Sequence, residues 1–224
     1  SGYYRRYLPK FVFVKSVLDS GTIGRVTSVN LRLLQGRHKF EGEEVRADWR
    51  VEVSNAGGGL FMDLGSHQLD LLDHLVGPLT NAQGIARRLR PKHNLPTPSY
   101  AVEDVVSLTF DTPSGAVGSA CWNFCSGVWE DSVDIVGELG CVSFSCFNNK
   151  PVRLERLQEP EITEHQLEQP EHVHQPLVEA VLQDLHAAGS KERPTCHSTG
   201  TAAARTALVM DRALEGFYGG PGSR

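Results

Sequence analysis

The chain has 224 residues, 40% of them hydrophobic and 22% charged, the proportions of a globular chain that is neither disordered nor collagen-like. Its 22 Lys and Arg against 27 Asp and Glu give a formal charge of -5, which supplies no excess of cations for a phosphate backbone and argues against a nucleic-acid partner. The most apolar stretch, from Leu60 to Val76, carries Asp63, His67, Asp70, Asp73 and His74, so no spanning helix is expected.

In chain order, the opening Ser1-Gly2-Tyr3-Tyr4 lacks an initiator Met and an apolar leader, and reads as the start of a fragment of a longer protein. Leu8 to Ser20 repeats apolar residues at three- and four-residue steps, with Gly21 placed to end a helix. From Arg25 to Leu34 the pattern is that of a strand, with Val29, Leu31 and Leu33 on one face and Ser28, Asn30 and Arg32 on the other. Residues 35 to 55 are long and polar and read as a functional loop. Gly57-Gly58-Gly59 then lead into an amphipathic helix that Gly77-Pro78 stops.

Beyond Pro78 the period changes to two, which predicts strands over 79–88, 102–111, 116–124, 132–136, 142–147 and 152–157. Turn residues at 112–115, at Gly137 and Gly140, and at Asn148-Asn149 make hairpins of neighbouring strands. Helices are predicted over 173–187 and 201–217, with Ser198 or Thr199 as cap. The fold class expected is α+β, a mainly antiparallel open sheet with helices packed on one face and the other face available for dimerisation.

Five cysteines, with no Cys-x-x-Cys pair, argue against a disulfide scaffold and suit a cytoplasmic protein. Cys121 and Cys125, on one face of a predicted strand, read as small buried apolar residues. Glu171-His172-x-His174 lacks third and fourth ligands at recognisable spacing, so it reads as a polar helix entry and no metal is expected. His172 remains a candidate for reaching a substrate pocket. The strand, Gly-x-Gly-x-x-Gly and helix of a dinucleotide-binding unit occur nowhere.

Asp63 and His67, four apart on one helix, put a carboxylate and an imidazole on the same face. Such a pair can share a substrate hydroxyl: the imidazole takes its proton while the carboxylate orients the ring and favours the imidazolium. The glycines ahead of them would let a ligand approach free N–H groups at the helix start. An acid near a helix N-terminus also stabilises the helix without any function, so spacing leaves both readings open.

Five motifs in register carry a resemblance: Tyr3-Tyr4-Arg5-Arg6-Tyr7-Leu8-Pro9, Leu18-Asp19-Ser20-Gly21-Thr22-Ile23-Gly24, Asp48-Trp49-Arg50, the run from Gly57 through Asp63 and His67 to Asp70, and Ser198-Thr199-Gly200. Together they resemble the carboxy-terminal part of the Gfo/Idh/MocA oxidoreductases over almost the whole chain. The resemblance implies that residues 1–224 form a substrate-binding and oligomerisation domain, and that an amino-terminal Rossmann domain holding NAD or NADP belongs to the parent enzyme. It assigns proton transfer to His67 and a substrate-hydroxyl contact to Asp63. It also makes Trp49 and Arg50 substrate contacts, and Arg6 and Gly58 cofactor contacts, although both arginines read equally well as paired or solvated.

The family's nucleotide-binding domain and its Glu-Lys-Pro motif would precede Tyr3. Without them the chain is expected to bind no NAD(P) tightly and to be inactive alone. The reaction implied for the parent interconverts an alcohol of a sugar, polyol or cyclic diol with its ketone, in a homodimer or higher oligomer built on the sheet. The other function compatible with the same residues is a noncatalytic dimerisation module derived from that fold.

Overall fold

Alternation in the first strand sets the architecture. In β1 (Val26–Gly36), Val29, Leu31 and Leu33 are buried while Asn30 and Arg32 are exposed, so one face of the strand must be covered and the other is not. The computed structural model describes residues 1–36, 51, 53–89, 102–187 and 196–219. Ahead of β1 a 3-10 turn (Tyr4–Tyr7) leads into α1 (Pro9–Asp19), which begins on a proline and turns Phe11, Val14 and Val17 inward. Gly21, at φ 70°, takes the left-handed conformation that ends the segment.

After β1 come the one-turn helix α2 (Val53–Ala56), a π-helical turn (Phe61–Gly65) and α3 (Ser66–Val76). Seven strands follow: β2 (Thr80–Arg87), β3 (Val105–Asp111), β4 (Val117–Ser126), β5 (Glu130–Gly137), β6 (Gly140–Phe144), β7 (Val152–Arg156) and β8 (Glu159–His165). Two helices, α4 (Gln175–His186) and α5 (Gly200–Tyr218), complete the described elements. Thr199 is the cap of α5, its Oγ1 accepting the Ala202 N–H at 3.2 Å.

The eight strands form one open sheet in the order β2-β3-β4-β1-β5-β6-β7-β8. The hairpin-linked neighbours are antiparallel, as the turn residues predict. The exception is central: β1 runs parallel to β4, with Leu31 opposite Ala120, and antiparallel to β5, with Leu31 opposite Val133. β8 is an additional strand at the edge, absent from the period-two reading.

The helices lie on one face. There Phe61 meets Trp122 at 4.8 Å between ring centroids, and Phe11 meets Phe144 at 5.8 Å. The indole N–H of Trp122 donates to the buried Gln68 Oε1 at 2.6 Å, which ties β4 to α3. The opposite face stays open. Across it Ser119 donates to Asn30 at 2.9 Å, Ser132 to Glu130 at 2.9 Å, and Ser143 to Asp134. Val117 and Ile85 on this face are about three-fifths exposed, at 61% and 60%.

The cysteine reading needs correction. Cys121 and Cys125 are only half-buried, on the open face, because the core-facing positions between and beside them belong to Trp122 and Phe124. Cys146 is the buried thiol, and burial pushes its pKa up to about 12. None of the five cysteines is in a disulfide. No helix among the described residues is long and apolar enough to cross a membrane.

Candidate functional site

The Asp63 and His67 segment is not a plain α-helix. Phe61–Gly65 forms a π-helical turn that passes directly into α3. Phe61 is fully buried against Trp122, and its ring lies across Gly65 so closely that a Cβ there would sit 2.5 Å from Phe61 Cδ2. Asp63, in the middle of the turn, is exposed, and His67, one residue into α3, is half-buried. Both side chains are therefore reachable from solvent.

The Nδ1 atom of His67 is buried without a hydrogen-bond partner. Tyr3 and Tyr4 approach the ring edge-on, at 5.5 and 5.7 Å between centroids. The pKa of His67 is pushed down to about 4. Burial is the largest cause, followed by the positive Arg5; Asp63 pulls the other way and His174 adds a smaller downward push. The expectation that Asp63 would favour the imidazolium is thus correct in sign, but burial and Arg5 outweigh it and the resting ring is neutral.

Arg5 is held by a hydrogen bond from Nη1 to the Cys146 carbonyl at 2.7 Å and by the Phe147 ring, 4.4 Å beneath its guanidinium carbon. His174 packs against Tyr4 at 4.3 Å between ring centroids, tilted by 48°. Sequence reasoning gives no role to Tyr3, Tyr4 and Arg5, and weighs His174 only as part of the Glu171-His172-x-His174 helix entry. The first three stand inside the quoted Tyr-Tyr-Arg-Arg motif, from which only Arg6 was singled out.

The other candidates fall in different places. His172 is exposed; His174, two residues on, is the imidazole that meets Tyr4. Trp49 and Arg50 lie outside the described residues.

Arg6 is buried and paired. Its Nε and Nη2 donate to the two oxygens of Asp70 at 2.8 and 2.7 Å, and Nη2 approaches Asp73 at 3.5 Å. Arg205 donates to the same Asp73 at 2.6 and 2.8 Å.

Gly58 is also buried, and a Cβ there would lie 2.5 Å from Met62 Cγ. The N–H of Gly59 is held at 3.0 Å by both oxygens of Glu103, a carboxylate only 1% exposed that also accepts from the Tyr218 hydroxyl. The protein's own carboxylate thus occupies one of the N–H groups that the glycine turn offers to a ligand. Arg6 is thus neutralised by Asp70 and Asp73, and Met62 stands where a side chain on Gly58 would lie.

Gly59 is the tightest point of this turn, since a Cβ would lie 2.4 Å from the Glu103 carbonyl oxygen. Gly59→Ala is expected to destabilise the chain by about 1–3 kcal/mol, the usual cost of forcing atoms into a filled space. Urea unfolding of this chain checks it, and an unchanged midpoint would show that the turn is slack.

Two open grooves, of about 640 and 810 Å³, are lined by neither Asp63 nor His67. The larger lies between α1 and α4 and includes His74, two turns along α3 from His67. Among the described residues no three His, Cys, Asp or Glu side chains gather to hold a metal ion.

With the site's geometry in view, comparison with known proteins is informative. Oxidoreductase P35 of Formosa agariphila is 31% identical over 182 residues, which are 80% of this chain and 52% of that protein. The chain therefore spans about half the length of this relative. Among solved structures, an oxidoreductase domain protein from Kribbella flavida superimposes with a TM-score of 0.74 at 17% identity, over 94% of this chain and 62% of its own. A levoglucosan dehydrogenase in complex with NADH and levoglucosan gives a TM-score of 0.70 at 18% identity, over 96% and 64%. At such identities the likeness is one of fold. Residues 11–143 match the GFO/IDH/MocA C-terminal domain, a span that runs from α1 through the π-helical turn and α3 into β6, and the chain belongs to that family.

Proposed function

We propose that this chain is the substrate-binding part of an NAD(P)-dependent oxidoreductase that interconverts a secondary alcohol of a sugar, polyol or cyclic diol with its ketone. The observation that carries the reading is the half-buried His67, its pKa pushed down to about 4, four residues from an exposed carboxylate. A neutral imidazole accepts the hydroxyl proton at Nε2 when its own hydrogen is on Nδ1. Asp63 accepts a hydrogen bond from a substrate hydroxyl and so fixes which carbon faces the acceptor. A nicotinamide nucleotide, held by a domain other than this one, supplies the two-electron acceptor for the hydride. Tyr3 and Tyr4 wall the His67 ring, limit its motion and keep water from surrounding it. The levoglucosan complex of a structural neighbour supports a sugar-like substrate.

The test is reduction of NAD or NADP by the full-length protein against a panel of sugars, polyols and cyclic diols. Turnover of one of these by the full-length protein, and none by residues 1–224 alone, is expected. Turnover by neither would count against the enzymatic reading.

The open sheet face is assigned to pairing of two copies. Its polar side chains are already bonded to one another, and Val117 and Ile85 stand out among them as apolar area still in contact with water. Sedimentation of the isolated chain is expected to show a dimer that Val117→Glu converts to monomer, because a carboxylate buried at the pair's contact lacks a partner. A wild-type monomer at high concentration would reject this interface.

A further inference from the structure

His174 has no assigned role, yet it is the imidazole that the fold brings closest to the site. It immediately precedes α4, and its carbonyl accepts the Val178 N–H at 3.1 Å, which fixes where the side chain leaves the backbone. Its ring meets Tyr4 at 4.3 Å with a tilt of 48°, and the same Tyr4 ring meets His67 at 5.7 Å. One tyrosine therefore touches both imidazoles, and Tyr3 closes a further side of His67 at 5.5 Å.

We propose that His174 is a positioning residue for His67, holding the Tyr4 ring against it and placing a second titratable imidazole against that same ring. The contact joins the start of α4 to the amino-terminal turn, two parts of the chain about 170 residues apart, and fixes both relative to α3.

The charged and titratable groups that face His67 are Arg5, Tyr3 and Tyr4 from the amino-terminal segment, Asp63 from the π-helical turn, and His174 from the start of α4. Arg5 and a protonated His174 oppose a proton on His67, and Asp63 favours it. Placing the two ring separations end to end, the imidazoles lie at most about 10 Å apart, where a unit charge moves a pKa by roughly 0.3 to 1 unit. His174 is exposed, so replacing it leaves the core intact.

The test is an NMR titration of the His67 ring in this chain at low salt, with the Trp122 indole N–H resonance reporting at each pH that the fold persists. His174→Ala is expected to raise the His67 pKa by roughly 0.3 to 1 unit and to weaken the Tyr4 to His67 ring cross-peaks. His174→Phe should raise it similarly and retain the cross-peaks, because it keeps the ring and removes the charge. Titrations that stay within about 0.1 unit of wild type in both variants, or undiminished cross-peaks in His174→Ala, would overturn the assignment.

The importance of His174 for turnover rests on the proposed role of His67, whereas the titration does not. In the full-length enzyme the acid limb of kcat/KM should move with the NMR shift in His174→Phe. A shift by NMR without movement of that limb would reject His67 as the proton acceptor and leave the positioning contact standing.

Discussion

On the role proposed for His67, replacing it by Asn in the full-length protein is expected to lower turnover by roughly 10²- to 10⁴-fold, the scale of losing a general base. Asn is close in size and polarity, but it cannot take a proton in this pH range. Stability should hardly change, because Nδ1 of His67 has no partner to lose and the ring is only half-buried. Paired measurements of turnover and thermal unfolding separate the two effects. A His67→Asn enzyme with wild-type turnover would remove His67 from the mechanism. The wild-type acid limb, in the alcohol-oxidising direction, should fall near the depressed pKa of about 4, well below the 6.5 of an unperturbed imidazole. Below that value the ring is already protonated and cannot accept the hydroxyl proton. Asp63→Asn should act mainly on KM, since the amide still contacts a hydroxyl but without the charge.

Loss of Arg6 is expected to be the most damaging single change to the fold. Arg6→Met would leave Asp70 and Asp73 buried without their shared cation, and breaking such a pair costs about 3–5 kcal/mol. That is a large part of the roughly 5–15 kcal/mol that holds a typical domain together. Arg205 still reaches Asp73, so the greater burden falls on Asp70. Burial already raises the pKa of Asp70 against the lowering effect of Arg6, and without Arg6 it should rise further. Denaturant unfolding checks the magnitude. The double variant Arg6→Met with Asp70→Leu should recover much of the loss, and failure to recover would mean that packing, not charge, dominates. Activity should suffer as well. Arg6 lies in the turn that carries Tyr4 and Arg5, and it joins that turn to α3, which carries His67.

The strands from β2 to β7 were legible because each buries one face and alternates accordingly, and the turns between them carry Pro, Gly or Asn. β8 was not. Its sequence, Glu159 to His165, includes a proline and three glutamates, the composition of an edge strand whose outer side faces water, and such a strand loses the apolar half of the pattern. The parallel pairing of β1 with β4 was also hidden, since period two identifies a strand but not its neighbour. At the site, the four-residue spacing of Asp63 and His67 was visible, whereas the π-helical turn depends on Phe61 folding over Gly65, a tertiary contact. His172 and His174 are equivalent in sequence. Only the way the chain enters α4 decides that the second of them meets Tyr4.

The position of β1 governs the order in which the sheet can assemble. It is made first, yet both of its neighbours, β4 and β5, lie some 90 to 110 residues later in the chain. During synthesis one of its edges must wait until β4 has emerged and the other until the segment through Gly137 has, because the partners do not exist before then. The local meanders β2-β3-β4 and β5-β6-β7-β8 need no such delay, so folding should proceed as two rapid hairpin arrays followed by slow capture of β1 between them. Until that capture, the Val29, Leu31 and Leu33 face is an adhesive surface, and a chaperone that shields it would raise the yield of native protein.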